Sequence, residues 1–147
     1  MSAYISPPPE IEIRRPKILL ADDNTDLLTL LKNLLERQGF EVVPVTSVAS
    51  ALNHIVSEHF DVLITDLHMP DAGDGFTVIA AMRQSQPEAL TMVLSGVHDV
   101  TIMGTILLQA DEVVAKSFDY QKLADLIRRK IQERKSSRKS VRFADKK

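Results

Sequence analysis

The chain has 147 residues, 44% of them hydrophobic and 26% charged, with no cysteine and a formal net charge of −2. That length suits one globular domain with an ordinary core, and the lack of cysteine excludes a disulfide scaffold, a thiolate metal site and a cysteine nucleophile. The charge is uneven: residues 128–147 carry ten Lys or Arg against two acids, Glu133 and Asp145, whereas residues 1–127 carry eight basic and eighteen acidic side chains.

The N-terminal stretch MSAYISPPPEIEIRRP has three consecutive prolines and no apolar core. It does not read as a signal peptide, and residues 1–16 are expected to form an extended arm. No run approaches the ~20 apolar residues that a membrane span needs. A soluble, cytoplasmic protein is the expectation.

Lys17 to Ala21 (KILLA) is a short apolar run and predicts a first strand. Asn24 can cap a helix, and Leu27, Leu28, Leu30, Leu31, Leu34 and Leu35 follow at helical spacing. Gly39 is a natural helix stop. Glu41 to Val45 (EVVPV) predicts a second strand, and its Pro44 argues for a sheet edge. Ser47 can cap a second helix with Val48, Ala51, Leu52, Ile55 and Val56 on one face. Val62 to Thr65 predicts a third strand, and Phe76 to Arg83 a short helix. Thr91 to Leu94 predicts a fourth strand, followed by a helix from about Val100 to Leu108. Glu112 to Ala115 predicts a fifth strand. Asp119 can cap the last helix, whose buried stripe is Leu123, Leu126, Ile127 and Ile131. That helix is expected to fray near Arg134, leaving residues 134–147 as a basic linker rather than a nucleic-acid contact, since charge runs are usually solvated.

Strands alternating with helices imply a parallel sheet covered on both faces. Right-handed crossovers then give an open, doubly wound sheet of five strands and five helices. Such sheets hold their ligands beyond the carboxyl ends of the strands. Strand one ends in Asp22-Asp23, strand three in Asp66, strand four in Ser95 and strand five in Lys116. Each residue has an ordinary use alone: Asp22, Asp23 and Asn24 can start a helix, Asp66 and Ser95 can enter a turn, and Lys116 can be a solvated strand end. Together they would place three carboxylates, a hydroxyl and an ammonium on one edge. Clustered acids remain ionised only with a cation among them. An all-oxygen site open to water suits Mg²⁺. The combination describes a phosphoryl-binding site.

From Lys17 to Lys130 the chain resembles a response-regulator receiver domain, in the order and spacing of four motifs. These are Asp22-Asp23, "TDLHMP" around Asp66, "VLSG" around Ser95 and "VVAKSF" around Lys116. The resemblance implies a flavodoxin-like fold with strand order 2-1-3-4-5, occupying residues 17–133. It implies that Asp66 is a phosphoacceptor, forming an acyl phosphate. It further implies that Mg²⁺ is held by Asp23, Asp66 and the backbone carbonyl of His68, with Asp22 acting through water. Lys116 and Ser95 would bind phosphoryl oxygens. The implied donor is a sensor histidine kinase or a histidine phosphotransfer protein. The implied output is a downstream protein or a C-terminal effector domain, with a homodimer through the fourth and fifth helices as one possible form.

The chain also departs from that family. The loop "DAGDG" is one residue longer than usual before the family's Asp-Gly, here Asp74-Gly75. Val113 stands where a switching aromatic is common, so activation is expected to run through the main chain of Ser95 to Asp99 and the helix that follows. Ser117 replaces a proline that usually follows a cis bond. Cis costs about 2.5–4 kcal/mol before a residue other than proline, so a trans Lys116–Ser117 bond is expected, with the Lys116 ammonium still directed at Asp66. The histidines His54, His59, His68 and His98 show no metal spacing. Two alternatives remain at this stage. One is a Mg²⁺-dependent phosphohydrolase with an aspartyl nucleophile, although His68 stands where such enzymes usually carry a second acid. The other is a pseudo-receiver that only binds, against which the intact set Asp22, Asp23, Asp66, Ser95 and Lys116 argues.

Overall fold

The computed structural model describes residues 14–70, 74–96 and 101–145, with side chains described through residue 136. Strands β1 (Lys17–Ala21), β2 (Glu41–Val45), β3 (Val62–Asp66), β4 (Leu90–Ser95) and β5 (Glu112–Ala115) alternate with helices α1 (Thr25–Arg37), α2 (Val48–Ser57), α3 (Asp74–Ser85), α4 (Met103–Gln109) and α5 (Leu123–Asp145). The strands form one sheet in the order β2-β1-β3-β4-β5, and every neighbouring pair is parallel. This is the doubly wound sheet expected from the alternation of strand and helix patterns, in the flavodoxin-like strand order that the receiver resemblance implies.

The period of two along each strand divides the core into two layers. Ile18 and Leu20 of β1 pack with Val62, Ile64, Met92 and Leu94 beneath Leu31 and Leu35 of α1 and Leu123 and Ile127 of α5. Leu19 and Ala21 face the opposite way, onto Leu63, Val93, Ile55 of α2, Val78 and Ile79 of α3 and Ile106 of α4. Burying each such Leu or Ile stabilises the fold by about 1.5–3 kcal/mol. A side chain is lost to solvent on neither face, which is why β3 reads as an unbroken apolar run up to its terminal acid.

The punctuation is local. Asn24 accepts from the Leu27 amide and Ser47 from the Ser50 amide, each capping its helix. Gly39 sits at φ 95°, a left-handed conformation that glycine adopts at no steric cost, and the Phe40 amide returns to the Leu35 carbonyl to close α1. Pro44 lies in β2, an edge strand, where its missing amide donor is tolerated.

Several boundaries differ from expectation. β3 and β4 run on to include Asp66 and Ser95, and α3 is longer at both ends. Asp119 caps a short 3-10 turn, Tyr120–Lys122, which leads into α5 instead of starting it directly. The fraying expected near Arg134 is corrected: α5 stays helical to Asp145. No glycine or proline occurs between Leu123 and Asp145 to stop it. Arg134 is also held, by Asp111 at 2.7 Å and the Pro87 carbonyl at 2.8 Å, and one turn earlier Lys130 pairs with Glu112 at 2.8 Å. The expected helix start at Val100, most of the DAGDG loop, the Val97–Asp99 part of the switching segment, and the arm before residue 14 lie outside the described residues.

Candidate functional site

Parallel pairing brings four strand ends to one edge. Ala21 is level with Thr65, so Asp22 and Asp66 follow at the same height; Asp66 is level with Leu94, so Ser95 stands one residue further along the adjacent strand. Ser95 in turn pairs with Ala115, the residue before Lys116.

Asp22 is fully buried. One carboxylate oxygen accepts from the Asn24 amide at 2.9 Å; the other, Oδ2, is buried and has no hydrogen-bond partner. Burial pushes its carboxyl up to about 6, and the nearby Asp66 and Asp23 add to the rise; the Asn24 amide and Lys116 oppose it. Asp23, next in the chain, is exposed. Asp66 is 3% exposed and tethered on both oxygens. Oδ1 accepts from the His68 amide at 3.3 Å, and Oδ2 accepts from Lys116 Nζ at 3.0 Å. The same ammonium lies 3.9 Å from Asp22 Oδ2. Burial works against the charged form of Lys116. The Asp66 hydrogen bond and the charges of Asp22 and Asp66 outweigh it, so its pKa is raised and it stays an ammonium at neutral pH. Ser95 is 5% exposed, and its hydroxyl donates to the Gly96 carbonyl at 3.3 Å.

The loop after Asp66 is set by close backbone packing. The Gly75 amide donates to the Leu67 carbonyl at 3.0 Å, which lays the first turn of α3 across the end of β3. A Cβ at Gly75 would fall 2.2 Å from the Asp66 carbonyl oxygen and 2.7 Å from Leu67 Cα, so only glycine fits this approach. Sequence reasoning recognised the Asp74-Gly75 pair but not this use of it.

The Lys116–Ser117 junction follows the expectation drawn from Ser117. Among the described residues the cis bond is Met69–Pro70, so Lys116–Ser117 is trans. The ammonium nevertheless reaches Asp66. Val113 is half-buried against the Leu19 layer of the core.

One carboxylate oxygen each from Asp22, Asp23 and Asp66 can be chosen so that all three lie within 4.8 Å of one another. Three carboxylates against one ammonium leave an excess of two negative charges. The buried Asp22 Oδ2 without a hydrogen-bond partner, the all-oxygen donor set and the exposure of Asp23 to water suit a hard divalent cation such as Mg²⁺. Two of the histidines pair elsewhere, His54 with Glu58 and His59 with Asp61.

The chain is 32% identical over 112 residues to the transcriptional regulatory protein CpxR of Escherichia coli, a match that covers 76% of this chain and 47% of that protein. It is 33% identical over 131 residues to the sensor protein GacS of Pseudomonas syringae pv. syringae, covering 85% of this chain and 14% of that one. It thus spans less than half the length of these relatives. A solved structure of a CheY-like response regulator receiver domain protein from Methanospirillum hungatei shares the fold, with TM-score 0.75 and 24% identity over 84% of this chain and 99% of that one. No described helix is long and apolar enough to cross a membrane. Residues 18–128 match the response regulator receiver domain, and the chain belongs to that family.

Proposed function

We propose that this domain accepts a phosphoryl group on Asp66 and uses it to switch a protein-interaction surface. The observation that carries the reading is the environment of Asp66. It is a nearly buried carboxylate beside two further acids, with Lys116 Nζ 3.0 Å away and Ser95 at the end of the adjacent strand. Packing alone gives no reason for such a cluster, because buried acids repel one another.

In this reading an Asp66 carboxylate oxygen attacks phosphorus, the bond from phosphorus to the donor breaks, and the donor leaves with that electron pair. The product is an acyl phosphate. Asp23, Asp66 and the His68 carbonyl would hold Mg²⁺, with Asp22 acting through water; the ion would offset charge on the phosphoryl oxygens. Lys116 exchanges part of its pairing with Asp66 for a phosphoryl oxygen. The Ser95 hydroxyl turns from the Gly96 carbonyl to another, and that turn carries the change outward. The donor would be a sensor histidine kinase or a histidine phosphotransfer protein. The receiver of the signal would be a downstream protein or an effector domain. The exposed Ile102, Leu107 and Leu108 of the α4 region are compatible with a homodimer through α4 and α5. A cytoplasmic setting belongs to the same reading, as does a module that turns over no substrate beyond its own phosphoryl group.

Turnover tests this reading against a phosphohydrolase. With acetyl phosphate and Mg²⁺, incorporation is expected to level off at one phosphoryl group per chain, with only slow release afterwards. Steady phosphate release at an enzyme's rate, without a labelled protein, would overturn the receiver reading.

A further inference from the structure

Lys116 is pinned at three polar groups. Its amide donates to the Ser95 carbonyl at 2.8 Å, its ammonium to Asp66 at 3.0 Å, and its carbonyl accepts from the Tyr120 hydroxyl at 2.8 Å. The third contact falls on the carbonyl of the Lys116–Ser117 peptide itself. Ser117 is exposed, and no pyrrolidine ring restricts this junction. Rotation about the Lys116 N–Cα bond would swing the Lys116 carbonyl and the lysine stem together relative to β5, so a group that holds the carbonyl also restrains the stem.

Tyr120 is well placed to restrict that freedom. It begins the 3-10 turn that Asp119 caps through the Gln121 amide at 3.1 Å. Its ring and that of Phe118 pack against the core layer containing Leu20 and Ile64. The Phe118 amide closes the turn onto the Ala115 carbonyl at 2.8 Å. The hydroxyl is therefore delivered from a fixed ring, and a tyrosine has only two side-chain torsions to lose.

We propose that Tyr120 is a positioning residue for Lys116: its hydroxyl, bonded to the Lys116 carbonyl, fixes the trans Lys116–Ser117 junction and so aims the ammonium at Asp66. The inference rests on the reading of Asp66 as phosphoacceptor for its consequence in phosphoryl transfer, but not for its geometric claim. The hydrogen bond of the Tyr120 hydroxyl goes to the Lys116 carbonyl and not to an acid, so Tyr120 acts through Lys116.

The test is Tyr120→Phe, which keeps the ring and its packing and removes the hydroxyl. Three measurements are made on the full chain. The first is the ¹⁵N-edited signal of the Lys116 ammonium, assigned by its loss in Lys116→Met. The second is the rate of labelling by acetyl phosphate. The third is the affinity for Mg²⁺ alone. Loss of one hydrogen bond of ordinary worth predicts labelling slowed by about 3- to 10-fold. The Lys116 ammonium protons should exchange faster with water. Mg²⁺ affinity and the thermal midpoint should stay near those of the parent, because the acids and the core are untouched. A Lys116 signal and labelling rate unchanged in Tyr120→Phe overturn the proposal. So does a parallel fall in Mg²⁺ affinity and thermal midpoint, which marks a merely structural role. If the parent itself does not label while the Lys116 signal still changes in the variant, the phosphoacceptor reading fails and the positioning role stands.

Discussion

Gly75→Ala is expected to destabilise the protein and to disorganise the phosphoryl site, although the change adds one methyl group. The added Cβ would lie 2.2 Å from the Asp66 carbonyl oxygen and 2.7 Å from Leu67 Cα. Both are main-chain atoms of the segment that carries Asp66, so no side chain can rotate away. Either α3 shifts off the end of β3 or the Asp66 loop moves outward. Overpacking of a tight contact costs about 1–3 kcal/mol, and a backbone-to-backbone clash belongs at the upper end. Gly104→Ala is the matched control. It lies in α4 with nothing within 4 Å of its added Cβ, so it should be neutral or stabilising by about 0.5–1 kcal/mol. Thermal or urea unfolding of the two variants side by side checks this. Equal stabilities would show that the approach of Gly75 to Asp66 is not tight.

Lys116→Ala is expected to separate phosphoryl transfer from metal binding. Removing the ammonium takes away the one positive side chain within reach of Asp66 and Asp22 among the described contacts. Removing one preorganised hydrogen-bond donor aimed at developing charge costs about 10²–10³-fold in rate, so labelling by acetyl phosphate should fall by at least about that factor. Mg²⁺ binding should move the other way. The three acids lose their internal counter-charge, and the cation meets more negative charge and less competition. Stronger Mg²⁺ affinity together with near-abolished labelling is the expected pair of results, read by metal titration and by intact-protein mass. If both properties fall together, Lys116 holds the site's shape rather than its charge.

The fold was legible because its signals are local and repeated. Ile18 and Leu20 against Leu19 and Ala21 show two buried faces in one strand, and Pro44 marks an edge. The candidate site was legible because parallel strands must end together, which turns five residues at four strand ends into one neighbourhood. What was hidden depends on distances that no spacing encodes. Tyr120 lies four residues past Lys116, in a turn without periodicity, and only the packing of its ring returns the hydroxyl to the Lys116 carbonyl. Gly75 reads as an ordinary turn glycine until α3 is laid across β3. The length of α5 was underestimated because a basic run reads as solvated chain. The sequence pattern could not show that Arg134 would find Asp111, which is itself bonded to the Thr91 amide and hydroxyl.

The central claim is that Asp66 receives the phosphoryl group, and mapping the label tests it most directly. The protein is incubated with acetyl phosphate and Mg²⁺, trapped chemically at its acyl phosphate, digested and sequenced by mass. The parent should carry a single modified residue, Asp66, and Asp66→Asn should carry none. A label on Asp22 or Asp23, or labelling that survives in Asp66→Asn, would contradict the account.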